Sequence, residues 1–321
     1  MATAITSLAV LADAPVLSEI LISVAVGAFI VLGARLLLRL TIDRCRVLAT
    51  LDDPATALDS LTIVAAAGAL TARLTTADAS SSMTNALAGI TVVAWLVLVP
   101  GVARTLSINR HHRNERVSGN WLLIVVATQA LATVAALTAR TLDAPAVSVA
   151  GVAAWIGGIA LYAVIAPTLA GKLGHLSARR CFTPDYWIAM GAPAITTLAA
   201  TTLLTTPAPP LRPLLEAGGI VAWVAASAWI PLLAALDVRA NITNFAHVGA
   251  ARWSTVFPLG MYAAAAQALG RVDNTPTVTH VGEWASWIAL AAWTVVAIAT
   301  SRRSLAPRGM ALGHKPSKPT G

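Results

Sequence analysis

Pro258 interrupts an apolar segment reading Trp253-Ser-Thr-Val-Phe-Pro-Leu-Gly-Met-Tyr262, and a bulky ring, Phe257, stands directly before it. Proline removes a backbone donor and breaks the helix ladder, and lipid has no water to repair the break. Such a break is tolerated where the segment is buried in protein or lines a cavity. Two readings follow: a kinked packing helix with Phe257 in the core, or a kink near mid-membrane that aims the ring across a pore. Asp52, Asp53 and Asp59 open another apolar segment. Acid clusters of this kind hold magnesium and diphosphate in intramembrane prenyltransferases, but those enzymes need a second acidic cluster, and none is found here. Acids at a helix start also suit the helix dipole, which is the simpler reading. His111-His112 have no Cys or acid at ligand spacing, so they read as part of a solvated basic loop. There is no zinc-protease His-Glu motif, phosphate-binding loop or nucleophile elbow. No metal or cofactor is expected.

Two further apolar segments carry polar groups. In Pro184-Asp-Tyr-Trp-Ile-Ala-Met-Gly-Ala-Pro-Ala-Ile-Thr-Thr-Leu198, Pro193 breaks the ladder near mid-membrane. Thr196 and Thr197 can bond back to the freed carbonyls or offer hydroxyls to an ion. The segment opening Ser118-Gly-Asn-Trp places Thr128 and Gln129 within the bilayer. Gln in hydrocarbon is costly and should face protein or water, which leaves interhelical bonding and pore lining both open. Thr62, just after Asp59, is a further candidate lining hydroxyl.

The elements that must position these residues are membrane helices. Hydrophobic residues make up 57% of the 321 and charged residues 11%, where soluble domains carry roughly 25% charged. Mean hydropathy is +0.74 and the net charge is +8. A bilayer crossing takes about 20 apolar residues. Spans are predicted near 16–39, 55–76, 83–105, 118–139, 146–170, 185–205, 213–236, 251–270 and 280–301, after a short apolar stub at 1–12. The start lacks the basic region of a signal peptide, so no cleaved leader is expected. Cys45 and Cys181 are too few for a disulfide framework and read as reduced thiols.

Charge orders these spans. Arg35, Arg39, Arg44 and Arg46 lie around one loop, Arg104, Arg110, Arg113 and Arg116 around the next but one, then Lys172, Arg179 and Arg180, then Arg239 and Arg252. The intervening loops hold only Arg73, Arg140, Arg212 and Arg271. Every second loop is therefore basic, which assigns those loops and the C-terminus to the cytoplasm. With these boundaries no Lys or Arg falls deep in the odd-numbered helices, which predicts a neutral pore. Odd-numbered helices start at intervals of about 60 residues, as five helical hairpins would. The transmembrane domain is expected over 1–301, with a disordered basic cytoplasmic tail over 302–321.

Four stretches resemble the tellurite-resistance/C4-dicarboxylate transporter family, which is similar to the slow anion channels of plant guard cells. They are Met1-Ala-Thr-Ala-Ile-Thr-Ser7, Ser118 to Gln129, Pro184 to Ala192 and Trp253 to Tyr262. The resemblance implies an all-α polytopic membrane protein of ten helices as five hairpins. Odd helices would form an inner ring around a central pore, and even helices an outer ring. It implies a homotrimer in the plasma membrane with one pore per subunit, and Phe257 as the ring that occludes it. Pro258, Pro193, Thr196, Thr197, Thr128, Gln129 and Thr62 would kink or line that pore. The implied cargo is a small anion such as malate, sulfite, nitrate or chloride, and some members are linked to tellurite tolerance. Neither an enzymatic activity nor a nucleic-acid partner is implied.

This sequence departs from the pattern in three ways. The first stretch begins at Met1, which predicts a shortened first helix. Asp59 stands where a small residue is expected, and is a candidate for proton coupling. Mid-span prolines fall in only two of the inner helices. The alternatives are an intramembrane lipid- or prenyl-modifying enzyme using Asp52, Asp53 and Asp59, or a family member without transport activity.

Overall fold

The computed structural model describes residues 1–77, 80–108, 118–175, 182–242 and 252–305, and in them the chain is helical throughout apart from short turns. His111, His112, Cys181 and the tail beyond Leu305 lie outside the described residues. The helices are α1 (Ala2–Ala9), α2 (Pro15–Ile42), α3 (Arg44–Thr50), α4 (Pro54–Ser60), α5 (Thr62–Thr76) and α6 (Ser81–Ile108). After them come α7 (Leu123–Leu142), α8 (Pro145–His175), α9 (Ile188–Leu204), α10 (Arg212–Ile242), α11 (Trp253–Val272) and α12 (Pro276–Leu305). Single 3₁₀ turns, Gly119–Leu122 and Pro184–Trp187, lead into α7 and α9. Proline opens α2, α4, α8 and α12, where its missing N–H leaves no gap in the ladder. Asp53 caps α4 by accepting from the Thr56 N–H at 3.1 Å. α12 continues through residues 302–305, so the helix outlasts the boundary placed at 301.

Eight of these helical segments are long and apolar enough to cross a membrane. α11 is not among them, because Pro258, Gln267 and Arg271 dilute it. Its neighbours are protein rather than lipid, so it needs less apolar surface.

Burial divides the spans into two classes. Of the most apolar stretch of each span, 67% is buried in Pro54–Thr76, 83% in Gly119–Leu142 and 94% in Pro184–Leu204. In α2, α6, α8, α10 and α12 the share is 17–28%. The buried helices touch in the order α1, α5, α7, α9, α11 and back to α1, which closes a ring of five. Each of the other five packs on its hairpin partner inside and also on the inner helix of the next hairpin. Their outward faces carry exposed Val16, Ile20, Ile30, Leu96, Val164 and Val295, an apolar belt that water would not tolerate but lipid does. The chain is thus an all-α polytopic protein of five hairpins in two concentric rings.

Small residues set the ring's width. A side chain at Gly68 would press on Ala130 of α7, one at Gly191 on Pro258 of α11, and one at Gly260 on Ile5 of α1. Close approach at glycine is the usual way to pack helices where lipid supplies no hydrophobic drive.

The short α1 is held by polar contacts. Arg73, counted with the loops in the sequence, lies in the last turn of α5 and is fully buried. Its Nε donates to Ser7 Oγ and Ser18 Oγ at 3.1 Å, and its Nη2 pairs with Glu19 at 2.6 Å. Trp293 of α12 donates to Thr3 Oγ1 at 3.1 Å, and Gln267 of α11 donates to the Ala9 carbonyl at 2.8 Å. Arg73 therefore ties α1, α2 and α5 together. Replacing it with Met should lower the apparent melting midpoint in detergent by several degrees, as losing a buried charge-assisted network costs about 2–4 kcal/mol. Glu19→Gln should do much less, because Glu19 is 63% exposed and such pairs contribute roughly 0–1 kcal/mol. Equal midpoints for wild type and Arg73→Met would refute the tie.

Candidate functional site

The inner ring opens into a cavity at each end. The first, about 540 Å³, lies at the N-terminal ends of the inner helices and takes lining residues from all five, among them Met1, Asp59, Thr62, Asn120, Asp185 and Phe257. The second, about 520 Å³, lies at their C-terminal ends and again takes residues from all five, among them Leu8, Thr76, Arg140, Thr201 and Arg271. Phe257 lines the first and is 1% exposed. From Phe257 to Ala264, the first α11 residue lining the second cavity, is about 10 Å of helix. All but Leu259 of the residues in that stretch are buried. Phe257 thus borders the N-terminal vestibule, and from there to the C-terminal vestibule α11 is packed in protein.

Phe257 does not sit mid-span. It is in the second turn of α11, about 6 Å from the helix start. Pro258 next to it packs on Gly191 of α9. That contact sets how closely α11 approaches α9 beside Phe257.

The N-terminal vestibule is built by the two 3₁₀ turns. Gly119 and Asp185 meet so closely that a β-carbon on Gly119 would overlap the Asp185 carbonyl. Asn120 donates to Asp59 Oδ1 at 2.9 Å, and Thr62 Oγ1 donates to the Asp59 carbonyl at 2.7 Å. Phe257, Asp59 and Thr62, three residues nominated by sequence, are therefore brought together at one mouth. Helix N-termini converge there and carry positive partial charge, which Asp59 and Asp185 offset. On the same face, Arg252 pairs with both carboxylate oxygens of Asp237 at 2.8 Å, and Trp187 donates to Asp237 at 3.1 Å. This pins α10, α11 and the turn before α9.

Of the other nominated residues, Thr128, Gln129 and Thr197 bond across to the outer ring. Thr128 Oγ1 donates to Ile124 O and accepts from Trp95 of α6. Gln129 Nε2 donates to the Trp155 carbonyl of α8 at 3.1 Å. Trp155, 1% exposed, donates to the Thr196 carbonyl at 3.0 Å. Thr196 Oγ1 bonds back to Ala192 O, and Thr197 Oγ1 donates to Pro193 O and to Gly219 O of α10. Both thus occupy carbonyls near the Pro193 break. None of Thr128, Gln129, Pro193, Thr196, Thr197 or Pro258 lines either vestibule.

Sequence reasoning missed Arg140 and Arg271. Both lie in the last turn of an inner helix, α7 and α11, rather than in loops, and both line the C-terminal vestibule. Charge therefore reaches the wall of the C-terminal vestibule, at the ends of the inner helices, rather than staying in the loops. The available signal was that Arg73, Arg140 and Arg271 fall at the same end of three inner helices. As for the acids, Asp53 caps a helix and Asp59 bonds Asn120. Among the described residues no three His, Cys, Asp or Glu side chains gather as a metal site.

Residues 1–301 match the sequence profile of the family described as voltage-dependent anion channel. Two curated relatives, both called uncharacterized membrane proteins of Mycobacterium tuberculosis (strains CDC 1551 and H37Rv), are 39% identical over 123 residues. That match covers 36% of this chain and 62% of each relative. The chain belongs to the voltage-dependent anion channel family, a family of channels and transporters rather than enzymes.

The contact between the two turns makes a prediction. Gly119→Ala should force them apart and lower the apparent melting midpoint, an overpacking cost of about 1–3 kcal/mol or more. Gly89→Ala on α6, with nothing within 4 Å of its new carbon, should leave it unchanged. Equal behaviour of the two variants would contradict the geometry.

Proposed function

We propose that this member of the voltage-dependent anion channel family moves small anions along the axis of its inner ring, and that Phe257 is the ring that occludes the path. One observation carries the reading: two vestibules, each lined by all five inner helices, lie at opposite ends of a throat with Phe257 at one end. A throat packed by neutral side chains binds anions weakly, and weak binding permits fast exit. The cargo is a monovalent or small dicarboxylate anion of the class of chloride, nitrate, sulfite or malate. By the same resemblance the protein assembles as a homotrimer in the plasma membrane. The basic-loop face and the C-terminus are cytoplasmic. Any effect on tellurite tolerance follows from altered anion balance.

Asp59 favours a second reading, a proton-coupled carrier. It lines the vestibule beside Phe257 and shares it with Asp185, and a titratable group in the path is what coupling requires.

Flux in proteoliposomes under an imposed voltage tests both. Phe257→Ala should raise anion flux about tenfold or more, since each ~1.4 kcal/mol taken off a barrier is tenfold in rate. Flux that is unchanged by Phe257→Ala refutes the gate. If malate uptake depends on a pH gradient and Asp59→Asn removes that dependence, the carrier reading holds; flux that follows voltage alone rejects it.

A further inference from the structure

The C-terminal vestibule has a donor set that the pore reading does not use. Four arginines lie on the face away from the basic loops: Arg73, Arg140, Arg212 and Arg271. Two are neutralised, Arg73 by Glu19 at 2.6 Å and Arg212 by Glu216 at 2.8 Å. The two that line the vestibule, Arg140 and Arg271, have no carboxylate partner among the described residues. Arg271 is instead held by a neutral group. Its Nη2 donates to Gln267 Oε1 at 2.9 Å, and Gln267, 2% exposed, is anchored through its Nε2 to the Ala9 carbonyl. Among the described residues, Arg271 Nε and Nη1 have no hydrogen-bond partner. Arg140, exposed, forms no hydrogen bond among the described residues.

The vestibule's hydroxyls cannot supply the same chemistry. Thr133, Thr201, Thr202 and Thr205 each spend their hydroxyl proton on a backbone carbonyl of their own helix or its end. The free donors facing the cavity are therefore guanidinium N–H groups. A guanidinium is a planar fork that pairs two N–H donors with two oxygens of one ligand, which chloride cannot match.

We propose that Arg140 and Arg271 form an anion-capture site in the C-terminal vestibule that prefers small oxyanions, carboxylate or nitrate, over chloride. This deepens the pore reading by naming the residues that load the path from that side, and it rests on that reading for its biological use. Gln267 is a positioning residue that orients Arg271.

Binding is tested without conduction, so the two readings fail separately. In a full-length background with Cys45 and Cys181 replaced by Ser, Thr205→Cys places a thiol on the exposed vestibule wall. The rate of its modification by an anionic and by a neutral methanethiosulfonate reagent reads the local potential. The anionic-to-neutral rate ratio should fall about three- to tenfold in Arg140→Gln/Arg271→Gln, tenfold being ~1.4 kcal/mol. Nitrate should slow the anionic reagent at lower concentration than chloride. Arg140→Lys/Arg271→Lys should keep the rate ratio but lose the nitrate preference, because an ammonium is a point charge. A rate ratio unchanged in the Gln variant, or equal competition by nitrate and chloride in the wild type, overturns the proposal. Loss of anion flux alone does not touch this readout and bears only on the pore.

Discussion

Five helices close around an axis only if their backbones approach closely, and glycine at the seams sets that distance. Gly68 faces Ala130, Gly191 faces Pro258 and Gly260 faces Ile5, each too tight for a side chain without displacement. The Gly191–Pro258 seam has a second consequence. Proline costs α11 a ladder bond, and its ring fills the space that the missing side chain of Gly191 leaves. Pro258 is thereby seated in the α9–α11 seam, and Phe257, one residue earlier, borders the N-terminal vestibule.

Within the ring, α1 (Ala2–Ala9) is held by side chains of three other helices, Arg73, Gln267 and Trp293. A buried charge is costly unless paired and hydrogen-bonded, and Arg73 gains both from Ser7, Ser18 and Glu19. The same end of the barrel holds Arg140 and Arg271, which have no carboxylate partner among the described residues. Charge is thus distributed along the axis with Asp59 and Asp185 at one mouth and Arg140 and Arg271 at the other. Arg140 and Arg271 put cationic donors in the wall of one vestibule, and Asp59 and Asp185 put carboxylates beside helix N-termini in the other.

Much of this architecture was legible in the sequence. The regular spacing of the spans and the alternation of basic and sparse loops anticipated the five hairpins, and the apolar composition anticipated an all-α membrane protein. What escaped was direction. Thr128, Gln129, Thr196 and Thr197 are on inner helices that are apolar on nearly every side, so the sequence offers no polar stripe to say which way they face; Thr128, Gln129 and Thr197 bond to the outer ring, and Thr196 bonds back to its own helix. Boundaries were the other loss. Ending the spans at 139 and 270 left Arg140 and Arg271 just outside, and helix ends are uncertain by a residue or two. That small shift moved both arginines from the vestibule wall to the loops. Arg73 falls inside the span 55–76 yet is counted with the loops, because the Ser7–Ser18–Glu19 pocket that accepts it comes from distant segments.

The most direct test of the central claim is the reversal potential of single channels of the Phe257→Ala variant in a planar bilayer across a tenfold gradient of potassium nitrate. The account predicts a current that reverses close to the nitrate equilibrium potential, carried by a path that the wild-type ring keeps shut. A reversal near the potassium potential, or no current above the bare bilayer, would contradict it.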